Sequence, residues 1–225
     1  MSDQKDSKIH GIDKYHHFGG GGGGEDGGDG GDDKQAAQLK SVYADWADEY
    51  DEDNDRKLGT VSQPTTVTML TRHLDYRDAQ IMDVGCGTGL VGAHLQKAGY
   101  TTYDGTDISA EMMAHARSRG YRKLLDLRPG HPLAAADDSY DASLCVGVFT
   151  HGHLGPEGFD ELIRITRPGG VICFTVNEGV WESGRFEEAI QAHVQNGVWR
   201  VLEQEMRDYM LYEGVQAWYI AARKL

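Results

Sequence analysis

The sequence predicts an α/β fold with a mostly parallel seven-stranded sheet and helices on both faces. Short apolar segments alternate with helical patterns between residues 81 and 176, which is typical of strand–helix–strand units whose strands run parallel. The first segment runs directly into the glycine-rich stretch 85–89. Two further strand-like stretches near the end are joined by a short turn at Glu213 and Gly214, so they must be antiparallel. Five parallel strands and a C-terminal hairpin make up the predicted sheet.

The composition fits one domain with a core and disfavours a nucleic-acid partner. The chain has 225 residues, of which 39 % are hydrophobic. Its formal net charge is −14, and residues 25–55 hold twelve carboxylates against two lysines. Binding through nucleic-acid phosphates needs a basic surface, which this composition lacks. Three cysteines without a CxxC pair, and no cluster of ligand residues, favour reduced thiols and predict no metal site.

The chain divides into a tail and a body. Residues 1–33 are rich in glycine and aspartate, with six consecutive glycines at 19–24, and we expect this tail to be disordered. Residues 34–225 form the predicted domain, in which 34–78 make an N-terminal helical lid. Neither a signal sequence nor a membrane-spanning run is evident, so we expect a cytoplasmic protein without membrane contact. A monomer is the default expectation for its oligomeric state.

Two helices are expected before the sheet begins. The first starts after a capping Asp32 or Asp33 and extends over residues 36–50. Its apolar residues recur at three- and four-residue steps: Leu39, Val42, Tyr43, Trp46 and Tyr50. The second helix begins near Pro64, a residue that suits the first helical turn.

The alternating region and the end of the chain supply the remaining elements. Strands are predicted over residues 81–84, 100–107, 123–127, 141–148, 171–176, 199–209 and 215–222. Helices are predicted over 90–98, after the capping Ser109, and over 156–166 and 185–196. Pro168, Gly169 and Gly170 are expected to end the third of these helices and to turn the chain into the fifth strand.

The stretch 81–89 carries the strongest functional signal. Glycines at 85, 87 and 89, between a strand and a helix, allow a cofactor to approach the backbone closely. The spacing is G-x-G-x-G, and Leu90 stands where a dinucleotide-binding loop needs its third glycine. Asp83 would repel phosphates there, but it would attract a cation or an ammonium group. A glycine loop alone also fits a tight turn without any ligand.

Asp107 supplies the second signal. It ends the next predicted strand, 22 residues after Gly85, where a carboxylate accepts hydrogen bonds from both hydroxyls of a ribose. An aspartate at a strand end is by itself more often a cap for a helix or turn. Its distance from the glycine loop favours the other interpretation, and the two signals together predict a nucleoside cofactor.

These motifs resemble those of class I S-adenosylmethionine-dependent methyltransferases. The resemblance rests on residues 83–89, 106–109 and 167–170 and covers roughly residues 36–225. The family's fold is Rossmann-like, with seven strands and a C-terminal antiparallel hairpin. More narrowly, residues 42–51, 162–170 and 197–199 are similar to the Williams–Beuren region methyltransferase-like proteins, although the glycine tail has no place in that family.

The resemblance implies S-adenosyl-L-methionine as the cofactor and assigns residues to it. Asp83 would lie near the ammonium group of its methionine part, Asp107 would hold the ribose, and Asp126 would accept a hydrogen bond from the adenine amino group. The full implied set is Tyr50, Asp83, Gly85, Cys86, Gly87, Asp107, Ile108, Met112, Asp126, Leu127, Val146 and Gly147. Tyr50, with Trp46, would form part of the lid, although ordinary core packing explains these aromatic residues equally well.

The methyl acceptor is predicted mainly from what is missing. The motif with which family members methylate the amino groups of nucleic-acid bases does not follow the fourth strand. No substrate domain is inserted into the sequence either. We therefore expect a small-molecule acceptor, with a peptide as an alternative. The acceptor site would include the N-terminal helices, the loop 150–157 and the loop 177–184, in which Trp181 would be exposed. His151 is the candidate general base if the acceptor must lose a proton, although His151 and His153 also fit an ordinary loop.

Two other functions remain open at this point. A nucleotide-dependent oxidoreductase is disfavoured by Leu90 and by the C-terminal hairpin. A protein that binds S-adenosylmethionine as a sensor or scaffold, without transferring the methyl group, is compatible with the same motifs.

Overall fold

A computed structural model describes residues 31–128, 130–151 and 153–225. The predicted disordered tail therefore lies outside the described residues, except for residues 31–33, which belong to the first helix. Among the described residues, no helix is both long enough and apolar enough to span a bilayer.

The described strands form one seven-stranded sheet in the order β3-β2-β1-β4-β5-β7-β6. The first five strands pair in parallel, whereas β7 pairs antiparallel with both β5 and β6. The strand bounds are Gln80–Val84 for β1, Thr102–Asp107 for β2, Leu124–Asp126 for β3, Tyr140–Phe149 for β4, Thr166–Asn177 for β5, Trp199–Met210 for β6 and Val215–Lys224 for β7. This arrangement confirms the predicted sheet.

Helices cover both faces of this sheet. Their bounds are Gly31–Trp46 for α1, Tyr50–Asp53 for α2, Ser62–His73 for α3, Leu90–Lys97 for α4, Ala110–Ala116 for α5, Gly158–Ile165 for α6, Glu178–Trp181 for α7 and Phe186–Gln195 for α8. Successive strand residues point to opposite faces, so that Ile81, Leu144 and Cys173 join one apolar core while Met82 and Phe174 join the other. Burial on both faces explains why these strands are continuously apolar.

The predicted first helix is divided in the structure. α1 ends at Trp46, and α2 begins at Tyr50 and continues into a π-helical turn over Asn54–Leu58. The indole N–H of Trp46 donates to Oδ2 of Asp53 at 2.8 Å, across the division. This bond links the end of α1 to the end of α2 across the break between them.

The predicted stop at Pro168, Gly169 and Gly170 is wrong in its position. β5 already begins at Thr166, directly after α6 and opposite Tyr140. Regular pairing with β4 resumes at Val171, so residues 167–170 form an irregularity inside the strand rather than a turn before it. The side chain of Arg167 bonds to Asp141 at 2.8 Å, which anchors this irregularity to β4.

Candidate functional site

The sequence-predicted residues lie where four parallel strands end at one edge of the sheet. Asp83 lies in β1, Asp107 ends β2, Asp126 ends β3, and Val146 and Gly147 lie in β4. The four strands are neighbours in the order β3-β2-β1-β4. The carboxyl edge of an open parallel sheet is where ligands of such folds bind.

Hydrogen bonds join the loops that follow these strands. The backbone N–H groups of Gly85 and Cys86 both donate to the carbonyl of Thr106, at 2.8 and 2.9 Å. Asp107 pairs with Asp126 in the strand register, and the N–H of Leu127 donates to the carbonyl of Asp107 at 2.9 Å. The structure thus brings the glycine loop, the end of β2 and the end of β3 into one continuous surface.

Two of the three glycines in the loop, Gly85 and Gly87, are constrained in different ways. Gly85 has φ +75°, and a Cβ there would lie 2.3 Å from the Val148 side chain, so neighbouring packing forbids a side chain. Gly87 has φ +53°, and a Cβ there would meet nothing within 4 Å. The protein itself therefore leaves space beside Gly87, and the backbone there is accessible to a ligand.

Asp83 is fully buried, and only one of its two carboxylate oxygens has a hydrogen-bond partner among the described residues. Its Oδ2 accepts the hydroxyl of Tyr121 at 2.5 Å, whereas its buried Oδ1 has no hydrogen-bond partner among the described residues. Burial raises the pKa of Asp83 to about 7, and the carboxylate of Asp107 adds to the rise, although the hydrogen bond from Tyr121 opposes it. A buried oxygen without a donor is unfavourable, so this atom is suited to a ligand that brings a cation or an N–H group.

Asp107 organises the loops around it. Its Oδ2 accepts the N–H of Gly87 at 2.8 Å, and its Oδ1 accepts the N–H of Ser109 at 2.9 Å. Burial raises the pKa of its carboxyl, and these backbone donors oppose that rise. Ser109 caps α5 by accepting the N–H of Met112 at 3.2 Å, as its sequence position predicts. Met112 is buried, and Ile108 is half-buried beside it.

The N-terminal segment is tied to the glycine loop through Asp51. Oδ1 of Asp51 accepts the hydroxyl of Thr88 at 2.6 Å, and its Oδ2 pairs with the guanidinium of Arg119. The neighbouring Tyr50 is half-buried, with its ring centroid 4.7 Å from that of Trp46. Trp46 itself is buried in the core, so the core-packing interpretation holds for it, while a lid role for Tyr50 stays a prediction.

The structure distinguishes the two histidines after β4. His151 is exposed, whereas the half-buried ring of His153 bonds through Nδ1 to the His151 carbonyl at 2.8 Å and through Nε2 to the Tyr43 hydroxyl at 3.0 Å. A carbonyl oxygen can only accept, so Nδ1 carries the proton and Nε2 of the neutral ring accepts from Tyr43. Burial lowers the pKa of His153 and so favours this neutral form.

Several residues of this region escape sequence reasoning. Tyr121, Asp51, Arg119 and Tyr43 each reach the site from a segment distant in sequence, and although residues 42–51 carry the family resemblance, nothing in the sequence indicates which partners these side chains contact. The structure shows why Tyr121 matters, because the glycines at 89, 92 and 105 lie against its ring.

The prediction for Trp181 is wrong. Its side chain is buried and stacks on Trp218, with ring centroids 4.7 Å apart, because α7 folds down onto the sheet. Two further expectations concern thiols and metals. All three cysteines are free and buried, and burial raises the pKa of the Cys86 thiol well above its usual range. Within the described ranges, no group of histidine, cysteine and carboxylate side chains is arranged to hold a metal ion.

Comparison with known proteins identifies relatives of this chain. A family model described as a methyltransferase domain matches residues 82–174. Methyltransferase-like protein 27 of Homo sapiens is 33 % identical over 174 residues, which cover 74 % of this chain and 70 % of that protein.

Solved structures are similar in fold. One is the methyltransferase in a complex with the Haloferax volcanii Trm112 methyltransferase activator, with a TM-score of 0.63 and 18 % identity, covering 83 % of this chain and 97 % of that chain. Another is a methyltransferase of Geobacter sulfurreducens in complex with S-adenosyl-L-homocysteine. Its TM-score is 0.52 and its identity 16 %, and the match covers 73 % of this chain and 94 % of that chain. Identities this low establish the fold alone.

Proposed function

The chain belongs to the S-adenosylmethionine-dependent methyltransferase family, and on that premise we propose that it transfers a methyl group in line to a small-molecule acceptor. The predicted resemblance to the Williams–Beuren region methyltransferase-like proteins and the predicted cofactor are confirmed by its relatives. We propose the class of acceptor and the residues that hold the cofactor.

We assign the cofactor to the carboxyl edge of β1 to β4. The orphaned Oδ1 of Asp83 suits the ammonium group of the methionine part, and the open space beside Gly87 suits an extended ligand lying on the loop. Asp107 offers carboxylate oxygens to the ribose hydroxyls at the end of β2. Around these lie the other proposed contacts, which are Tyr50, Gly85, Cys86, Ile108, Met112, Asp126, Leu127, Val146 and Gly147.

Methyl transfer from S-adenosylmethionine requires little covalent chemistry from the protein. S-adenosylmethionine supplies a methyl group on an already activated sulfonium. The protein's task is to hold donor and acceptor in line, and proximity of this kind is worth roughly 7–11 kcal/mol. An acceptor that must lose a proton also needs a base, and we move this role from His151 to His153. The neutral Nε2 of His153 accepts from the Tyr43 hydroxyl, so the acceptor's proton would pass to the Tyr43 oxygen while the phenol gives its own proton to Nε2.

The observation that carries the small-molecule proposal is the way the N-terminal segment covers the glycine loop. Asp51 ties α2 to Thr88 and Arg119, and Tyr43 of α1 reaches His153 beyond β4. These contacts bring side chains of the N-terminal segment to the carboxyl edge, and we infer that an acceptor reaching the edge past them is compact. The net charge of −14 further disfavours a nucleic-acid acceptor.

The test is to follow a labelled methyl group into a cell extract. The purified protein is incubated with S-adenosylmethionine labelled on its methyl group and with extract separated by size into metabolites and macromolecules. We expect label in the metabolite fraction and formation of S-adenosylhomocysteine. The matched control is Asp107→Ala, which should bind no cofactor and transfer no label.

Two other outcomes would favour the alternatives. Label on a polypeptide would identify a protein methyltransferase. Tight cofactor binding without any turnover, in unfractionated extract as well, would favour a sensor or scaffold. The unfractionated extract also supplies any activator protein of the kind found with the Haloferax volcanii neighbour. A monomeric state and a cytoplasmic location stay predictions.

A further inference from the structure

Tyr121 lies beneath the glycine loop in a closely fitted position. It comes from the segment between α5 and β3, and a Cβ at Gly92, Gly105 or Gly89 would come within 2.5, 2.8 or 2.9 Å of its ring. Its hydroxyl oxygen accepts the N–H of Gly92 at 3.0 Å and donates its proton to Oδ2 of Asp83 at 2.5 Å. The ring is therefore fixed by packing, and its hydroxyl is fixed by two hydrogen bonds.

This contact leaves Asp83 with two unequal oxygens. Tyr121 holds Oδ2, while the buried Oδ1 has no hydrogen-bond partner among the described residues. The titratable groups that face Asp83 are Tyr121 itself, Asp107 and Tyr103 from β2, Cys86 from the glycine loop and Cys145 from β4. None of these five side chains is a cation at neutral pH, so none of them compensates a negative charge on Asp83.

We propose that Tyr121 is a positioning residue for the cofactor, which holds Asp83 by one oxygen so that the other receives the cofactor's ammonium group. The cofactor then binds only the ionised carboxyl. This inference rests on the cofactor site proposed above and is independent of the acceptor.

The proposal predicts a pH dependence with a definite sign. Burial raises the pKa of Asp83 to about 7 in the free protein, so lowering the pH below 7 protonates the carboxyl and removes the partner of the ammonium group. The ionised fraction falls from roughly one half at about pH 7 to roughly 0.03 at about pH 5.5, which weakens binding about 15-fold. The α-amino group of the cofactor stays protonated over this range, because such groups titrate near ~8.

The experiment compares two ligands on the wild-type protein by calorimetry between about pH 5.5 and about pH 7. S-adenosylhomocysteine carries the ammonium group, and we expect its affinity to fall about 15-fold at the acidic end. 5′-Methylthioadenosine keeps the nucleoside and lacks the amino acid, so its affinity should not change with pH. A flat profile for the first ligand would overturn the proposal. An equal slope for both ligands would overturn it as well, since Asp107 would then be the titrating group.

Variants isolate the role of the phenol. Tyr121→Phe keeps the ring packing but removes the hydroxyl that stabilises the carboxylate, so the midpoint for S-adenosylhomocysteine should rise. A rise of about one pH unit weakens binding at pH 7 about fivefold. Tyr103→Phe is the matched control, because its hydroxyl donates to the Arg119 carbonyl instead, and its midpoint should stay in place. Asp83→Asn should give a flat profile.

Each remaining result decides a separate question. An unchanged midpoint in Tyr121→Phe would overturn the positioning role. If this variant does not fold, the comparison of the two ligands on the wild-type protein still tests the proton coupling. Failure of the wild-type protein to bind either ligand at any pH would contradict the cofactor site itself, which is a different failure from a flat profile.

Discussion

Replacing Gly87 by alanine tests whether this glycine is needed for cofactor binding rather than for the stability of the fold. Gly87 has φ +53°, and a Cβ there meets nothing within 4 Å. Its substitution therefore adds backbone strain of about 1–2 kcal/mol without any clash inside the protein. This strain corresponds to a fall in Tm of roughly 2–8 °C for a domain of this size. If the cofactor lies on the loop, the added methyl group occupies its space, and overlap of about 1–3 kcal/mol weakens binding roughly 5- to 150-fold.

The chain offers a matched control in Gly197. It has φ +67°, and a Cβ there also meets nothing within 4 Å, but it lies in the turn before β6, far along the sheet from the glycine loop. Thermal unfolding and calorimetric titration with S-adenosylhomocysteine would be measured for both alanine variants. Both should lose similar stability, and only Gly87→Ala should lose affinity. Equal affinity in the two variants would refute the conclusion that the cofactor approaches the backbone at Gly87.

Three further predictions follow from the contacts of the site. His153→Gln should lower the turnover of an acceptor that loses a proton by about 100- to 10,000-fold, while His151→Gln should change it little, as steady-state kinetics will show. Asp51→Ala should weaken cofactor binding roughly fivefold in calorimetry, because a half-exposed ion pair and one hydrogen bond are worth about 1 kcal/mol. Asp83 has a folded-state pKa of about 7, above its unfolded value, so the free protein should lose stability as the pH rises from about 4 to about 7, by up to about 4 kcal/mol. Asp83→Asn should remove this loss in thermal unfolding across pH, and an unchanged loss would contradict the burial of an ionisable group there.

Much of the fold and part of the site could be predicted because their signals are local. The strand at residues 81–84 and the glycines after it are adjacent in sequence, and the spacing to Asp107 reflects one strand–helix–strand unit. Parallel strands align their carboxyl ends, and the end of β4 lies near the glycine loop as the family resemblance implies through Val146 and Gly147.

The other features depend on tertiary contacts that leave no local pattern. Asp83 and Tyr121 are 38 residues apart, and Tyr43 and His153 are 110 residues apart. The burial of Trp181 depends on its stacking partner Trp218, which lies on β7. Composition and periodicity reflect only neighbours in sequence, so they do not distinguish an exposed Trp181 from one that stacks on a distant ring.

The most direct test of the central claim is a calorimetric titration of the purified protein with S-adenosylmethionine, S-adenosylhomocysteine and NAD. We predict that the first two bind, that NAD does not, and that Asp107→Ala loses both interactions while remaining folded. Binding of NAD alone would contradict the cofactor assignment. Undiminished binding of S-adenosylmethionine to Asp107→Ala would show that the cofactor lies elsewhere than at the carboxyl ends of β1 and β2.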